Sequence, residues 1–230
     1  MIEQQSIQVS DEASASPAWL PYVAPMAAFL ALTIIEGYVA AGTYVWLYIV
    51  KVLVVTVVLC VFHETWADAR PDARVIPLAV LVGLLVFAQW VMLDKLVHYP
   101  HLSTRIGFDP FSAIRSPVVR ASFLAARFYG LVLVVPLMEE LFWRSFLLRY
   151  MTDANFKAIP IGTFSWSAFA IVAVAFSISH PEWLAALICA CAYALLLRHT
   201  RRLFAVVIAH GITNLALGLY VIVARAWEYW

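Results

Sequence analysis

The chain has 230 residues, 64% hydrophobic and 13% charged, and 15 Lys and Arg nearly balance 14 Asp and Glu for a net charge of +1. Soluble domains carry about 25% charged residues, so this composition excludes an ordinary soluble enzyme and predicts an integral membrane protein. No basic patch suggests a nucleic-acid partner. Cys60, Cys189 and Cys191 each lie in an apolar run without CxxC or Cys/His spacing, which predicts neither a disulfide framework nor a zinc finger.

Residues 1–18, MIEQQSIQVSDEASASPA, are polar and contain no Lys or Arg. A secretory leader would start basic and continue apolar, so this stretch reads as a disordered tail, followed by a single domain over 19–230. Apolar spans are predicted at Trp19–Ile35, Tyr44–Phe62 (interrupted by Lys51), Val75–Val97 (ending in Asp94 and Lys95), Phe123–Met138, Thr163–Ser179, Trp183–Leu197 and Leu203–Ala224. They do not alternate with a two-residue period, so they are helices rather than barrel strands. In lipid only those two solutions satisfy the backbone.

Two segments are less clean. Tyr99–Arg120, with Pro100, Pro110 and Pro117, reads as an interfacial loop with a short amphipathic helix. Leu141–Tyr150 either continues the fourth helix or forms its own interfacial turn. The expectation is an all-α, polytopic transmembrane bundle of seven to eight helices with an intramembrane polar cavity. No internal repeat is visible. With the N-terminus inside, eight positives (Arg70, Arg74, Arg144, Arg149, Lys157, Arg198, Arg201, Arg202) face five (Lys95, Arg105, Arg115, Arg120, Arg225), a bias toward N-in. The ending WEYW reads as an interface belt.

Ionisable residues within spans cost roughly 2.5–3.5 kcal/mol each at mid-helix and are functional candidates by default. They form three clusters here: Glu139, Glu140 and Arg144; Phe176 with His180; and His210 with Asn214. Residues four apart share a helix face, so Glu140 can pair with Arg144, and His210 and Asn214 point the same way. Glu139 sits about 100° around the helix from Glu140, without an evident partner on its own helix. His180 precedes Pro181, where a helix usually stops, which predicts a histidine at the mouth of a cavity. A carboxylate, two histidines and an amide suffice for hydrolysis. The carboxylate takes a proton from water and a histidine shares that duty or protonates the leaving amine. A second histidine and an amide donate to the oxyanion.

Each feature has a plainer reading. Glu140–Arg144 is more often a structural pair, His180 is equally at home as a capping histidine, and Lys51 snorkels or pairs. Cys189 and Cys191 are small packing residues. Taken together, the three clusters favour a functional site over a structural polar network.

In order on successive apolar segments, Glu139–Glu140–Leu141–Phe142–Trp143–Arg144, Phe176–Ser177–Ile178–Ser179–His180 and His210–Gly211–Ile212–Thr213–Asn214 resemble the motifs of the CAAX prenyl endopeptidase and bacteriocin-processing (ABI) family of intramembrane proteases. The resemblance covers about residues 120–220. The flanking GLVLVVPLMEELFWRSFLLRY and AHGITNLALGLYV look like a bacterial subgroup associated with exosortase sorting systems, hence a bacterial inner-membrane location. The resemblance implies a helical bundle with a conical cavity open to one membrane face. It also implies that Glu139 and His180 activate water, that His210 and Asn214 form the oxyanion site, and that Glu140 and Arg144 support the geometry. The implied partner is a membrane-anchored or membrane-associated peptide or protein, CAAX-like and lipidated in the eukaryotic members. The implied mechanism needs no cofactor and no metal.

Other readings stay open at this stage. Two glutamates, two histidines and an asparagine are also zinc-ligand types, though HExxH is absent and catalytic zinc sites are typically histidine-rich. A non-catalytic binding, immunity or assembly protein would use the same pocket for recognition. A transporter would use Glu139 as a proton relay, but such proteins often show paired repeats. Oligomeric state is not specified by the sequence.

Overall fold

A computed structural model describes residues 16–103 and 107–230. Most of the expected tail and Arg105 therefore lie outside the described residues. The described chain is helical and contains no strand. Helix α1 spans Leu20–Glu36, α2 Ala41–Val61 and α3 Ile76–Leu96. Helix α4 runs from Pro117 to Tyr150, α5 spans Trp166–Ile178, α6 Trp183–Thr200 and α7 Leu203–Ala224. Five of these, α2, α3, α4, α6 and α7, are long and apolar enough to cross a membrane, and α1 and α5 are shorter apolar helices. This fits an integral membrane protein.

The largest departure from the predicted boundaries is α4. It begins at Pro117, capped by Ser116, whose hydroxyl accepts from the Val119 amide at 3.4 Å, and it continues through Leu141–Tyr150 without a break. Six charged residues interrupt its apolar run, yet partners from neighbouring elements satisfy several of them. Arg144 pairs with Glu140, and Arg149 pairs with Asp68 at 2.9 Å. Both arginines are buried, 2% and 6% exposed, so they are not loop charges; Arg120 also falls within α4, and the loop count becomes six positives against four. The amphipathic helix expected in Tyr99–Arg120 is a single turn, Pro110–Ala113, capped by Asp109; its several prolines allow no more.

Lys51 is buried in α2 and pairs with Glu36 at the end of α1, with Thr33 Oγ1 accepting a second bond at 3.2 Å. Helix α7 is the central element. It packs on α3, α4 and α6, and two glycines permit close approach. A Cβ on Gly83 of α3 would stand 2.5 Å from the Ala209 carbonyl, and one on Gly211 would stand 2.8 Å from the Val132 carbonyl. Arg225 adopts a left-handed conformation (φ 54°) that ends α7, and the chain folds back so that Tyr229 and Trp230 are buried. The Tyr229 hydroxyl donates to Asp94.

Candidate active site

Pro136 shapes the segment that presents the two glutamates. Lacking an N–H, it cannot donate within α4, and the helix widens over Gly130–Val134 into a π-helical stretch. The Val135 amide bonds to the Gly130 carbonyl, so the partner that the Leu131 carbonyl would have in an α-helix is already used. Its next candidate is Pro136, which has no hydrogen to give. Asn214 of α7 fills the gap, its Nδ2 donating to the Leu131 carbonyl at 2.9 Å. A second π-helical stretch, Leu141–Leu147, follows the glutamates directly. Such stretches are rare and frequently mark functional sites.

Between them, Glu140 is fully buried and Glu139 half-buried. Glu140 Oε1 accepts from Arg144 Nη1 at 3.1 Å and from His210 Nδ1 at 2.8 Å. The Arg144 guanidinium also lies over the Phe176 ring, 4.4 Å from its centre, with the Tyr193 ring at 5.6 Å. Phe176 thus contacts both Arg144 and His180, whose ring centre is 4.5 Å away. Tyr193 is anchored in turn by a hydrogen bond to Thr213 at 2.8 Å, and Thr213 donates to the Gly83 carbonyl.

Helix α5 ends at Ile178, ahead of Pro181. There His180 Nδ1 lies 2.8 Å from the Phe176 carbonyl. A carbonyl only accepts, so Nδ1 carries a proton, and in the neutral ring Nε2 is the basic nitrogen. Ser177 fastens this turn to α6 through a 2.7 Å bond to the Trp183 carbonyl.

A cavity of about 160 Å³ is lined by Glu139, His180, His210 and Asn214 together, with Phe176, Cys189 and Tyr193 also on its wall. Four residues nominated from the sequence thus share one cavity. Glu140 and Arg144 stand behind it, holding His210. Glu139 Oε2 is buried and finds no hydrogen-bond donor among the described residues. Asn214 spends one N–H on Leu131, and its amide carries a second.

Sequence reasoning missed several lining residues: Arg127, Trp90, Tyr193, Thr213, Tyr229 and Trp230. Arg127 carried a usable signal, a charge inside an apolar helix. The aromatic residues carried none, because the same residue types fill ordinary membrane cores. Cys189 is buried, as a packing residue is, and also lines the cavity.

Among the described residues no three His, Cys, Asp or Glu side chains gather closely enough to hold a metal ion. The residues present therefore do not fit the three-ligand catalytic zinc arrangement.

Residues 121–216 match the model of the Rce1-like family, described as type II CAAX prenyl endopeptidase Rce1-like. The matched stretch holds all three motifs and supports the CAAX protease family, a family of hydrolases. No curated protein and no solved structure matches the chain.

Proposed function

We propose that the protein is an intramembrane endopeptidase that hydrolyses a peptide bond in a membrane-anchored or membrane-associated substrate, using water activated by Glu139. The observation that carries this reading is the one cavity lined together by Glu139 of α4, His180 from the turn after α5, and His210 and Asn214 of α7. Glu139, without a hydrogen-bond donor at Oε2, is placed to hold a water and take its proton. His180, whose Nδ1 is committed to the Phe176 carbonyl, lines the same cavity and shares in activating that water. The oxygen attacks the scissile carbonyl, and the proton passes to the leaving amine.

The developing oxyanion is received by His210 and by the second N–H of Asn214. His210 donates from Nδ1 to Glu140, so donation from Nε2 as well makes the ring cationic, with Glu140 as its counter-ion. Glu140 and Arg144 form a buried ion pair beside it, in a site of low dielectric. In this environment preorganised donors act strongly; one such donor is worth about 10²–10³ in rate.

The runner-up is a non-catalytic binding or assembly protein that uses the cavity for recognition. The test is cleavage of a pool of membrane-anchored peptides by the purified protein in nanodiscs, beside Glu139→Gln and His210→Ala, with and without a chelator. Cleavage lost in both variants and retained with chelator supports the proposal. Loss with chelator and rescue by zinc would replace it with a metalloprotease. Cells in which the folded Glu139→Gln protein works normally would leave only the binding reading.

A further inference from the structure

The cavity has a long axis. Arg127, Leu131, Val135 and Glu139 line it at four-residue steps on α4, the spacing of one helix face. It therefore follows that helix for about 18 Å. Helix α7 runs the other way beside it: Asn214 bonds to Leu131, and Gly218 packs against Phe128. The end of the cavity away from Glu139 thus lies toward the end of α7. There the chain turns at Arg225, and Tyr229 and Trp230 become part of the cavity wall. The Trp230 ring stands 5.1 Å from the Arg127 guanidinium at that end.

With residues 226–230 in this position, the cavity measures about 160 Å³. A cavity of about 150 Å³ holds one benzene ring, and pockets that enclose drug-sized ligands span about 300–1,000 Å³. A peptide with residues on both sides of its scissile bond does not fit. The attachment of this strap is of a kind that can be undone. Its backbone bonds to Val221 of α7 and then to itself, Tyr229 to Ala226 and Trp230 to Trp227. Side chains tie it to other elements: the Tyr229 hydroxyl donates to Asp94 of α3, and Trp227 rests on Gly107 in the loop between α3 and α4. Outside the cavity its rings have a second place to go, because indole and phenol groups sit well at a membrane–water interface.

We infer that residues 226–230 form a gate. With Tyr229 latched to Asp94 the strap holds the cavity in a closed, autoinhibited form. Release of the latch swings it out about Arg225 and opens the cavity along α4 and α7. That the molecule admitted is a peptide substrate rests on the protease reading; the opening itself does not.

The test uses the full chain in nanodiscs with Cys60 and Cys191 replaced by Ser, which leaves Cys189 on the cavity wall as a reporter. Its alkylation by N-ethylmaleimide is followed by mass spectrometry of the peptide that carries it. Tyr229→Phe removes the latch and keeps the ring, so a fixed wall would keep its shape. Alkylation of Cys189 in this variant is expected to be about tenfold faster or more, the scale of one hydrogen bond to a charged acceptor. The second variant is a staple, Gly107→Cys with Trp227→Cys. A Cβ on Gly107 stands 3.2 Å from the Trp227 Cβ, close to the disulfide spacing of about 3.5–4.5 Å. Oxidised, the staple holds the strap shut, and Cys189 should react about tenfold more slowly than in the same protein reduced. Equal rates in Tyr229→Phe and its parent, equal rates in the oxidised and reduced staple, or a Cys189 that never reacts would each overturn the gate. If Tyr229→Phe does not fold, the staple decides. Hydrolysis of membrane-anchored peptides should follow the same order. Hydrolysis that ignores the staple would overturn the gate and leave the protease standing. Cys189 reactivity that follows the staple while no peptide is cleaved would keep the gate and count against the protease.

Discussion

Replacing Glu140 by Gln keeps the shape of the side chain and removes its charge. Glu140 is fully buried and Arg144 is 2% exposed, so the variant leaves a guanidinium in the core without its carboxylate. The hydrogen bonds to Arg144 and His210 lose their ionised acceptor, and the guanidinium, still charged, loses its counter-ion. Breaking a buried ion pair outright typically costs about 3–5 kcal/mol. The Phe176 and Tyr193 rings beside Arg144 hold the loss toward the lower part of that range, about 3 kcal/mol. Removing the second charge as well, in Glu140→Gln/Arg144→Met, should recover part of the loss, because the unpaired cation is then gone. Unfolding in detergent micelles, followed by tryptophan fluorescence, measures both. Hydrolysis by the single variant should fall about 10²-fold, the scale of one misplaced oxyanion donor, since His210 loses its counter-ion. A Glu140→Gln protein within 0.5 kcal/mol of wild type, or a double variant less stable than the single one, would refute this account of the buried pair.

Glu139→Gln should behave in the opposite way. Its Oε2 has no donor to lose among the described residues, so unfolding is expected to move by less than about 1 kcal/mol while cleavage disappears. Asn214→Leu deprives the Leu131 carbonyl of its bond and should cost about 1–3 kcal/mol, seen as a lower denaturation midpoint in the same micelles. Gly211→Ala places a methyl 2.8 Å from the backbone carbonyl of Val132. Overpacking of this kind costs about 1–3 kcal/mol, and by moving α7 off α4 it should also reduce turnover; an unchanged midpoint would mean that the two helices slide apart freely.

The positions of the helices were legible in the sequence because lipid leaves the backbone few solutions, so each long apolar run becomes a helix. The three clusters of polar residues were legible for a related reason: a charge in an apolar run is costly, and Glu139, His180, His210 and Asn214 stand out against their neighbours. The four-residue spacing of Glu140 and Arg144 also announced their pairing. Tertiary structure alone decided what lay across the gaps between helices. That Glu140 receives His210, that Asn214 caps a carbonyl left open by Pro136, and that Trp230 folds back over Arg127 are contacts between residues many turns apart in the chain. Periodicity is a property of one helix and carries no information on which face meets which. The sequence left two readings open for Leu141–Tyr150, continuation of the fourth helix or a separate turn; the partners that its charges find on other elements decide for continuation.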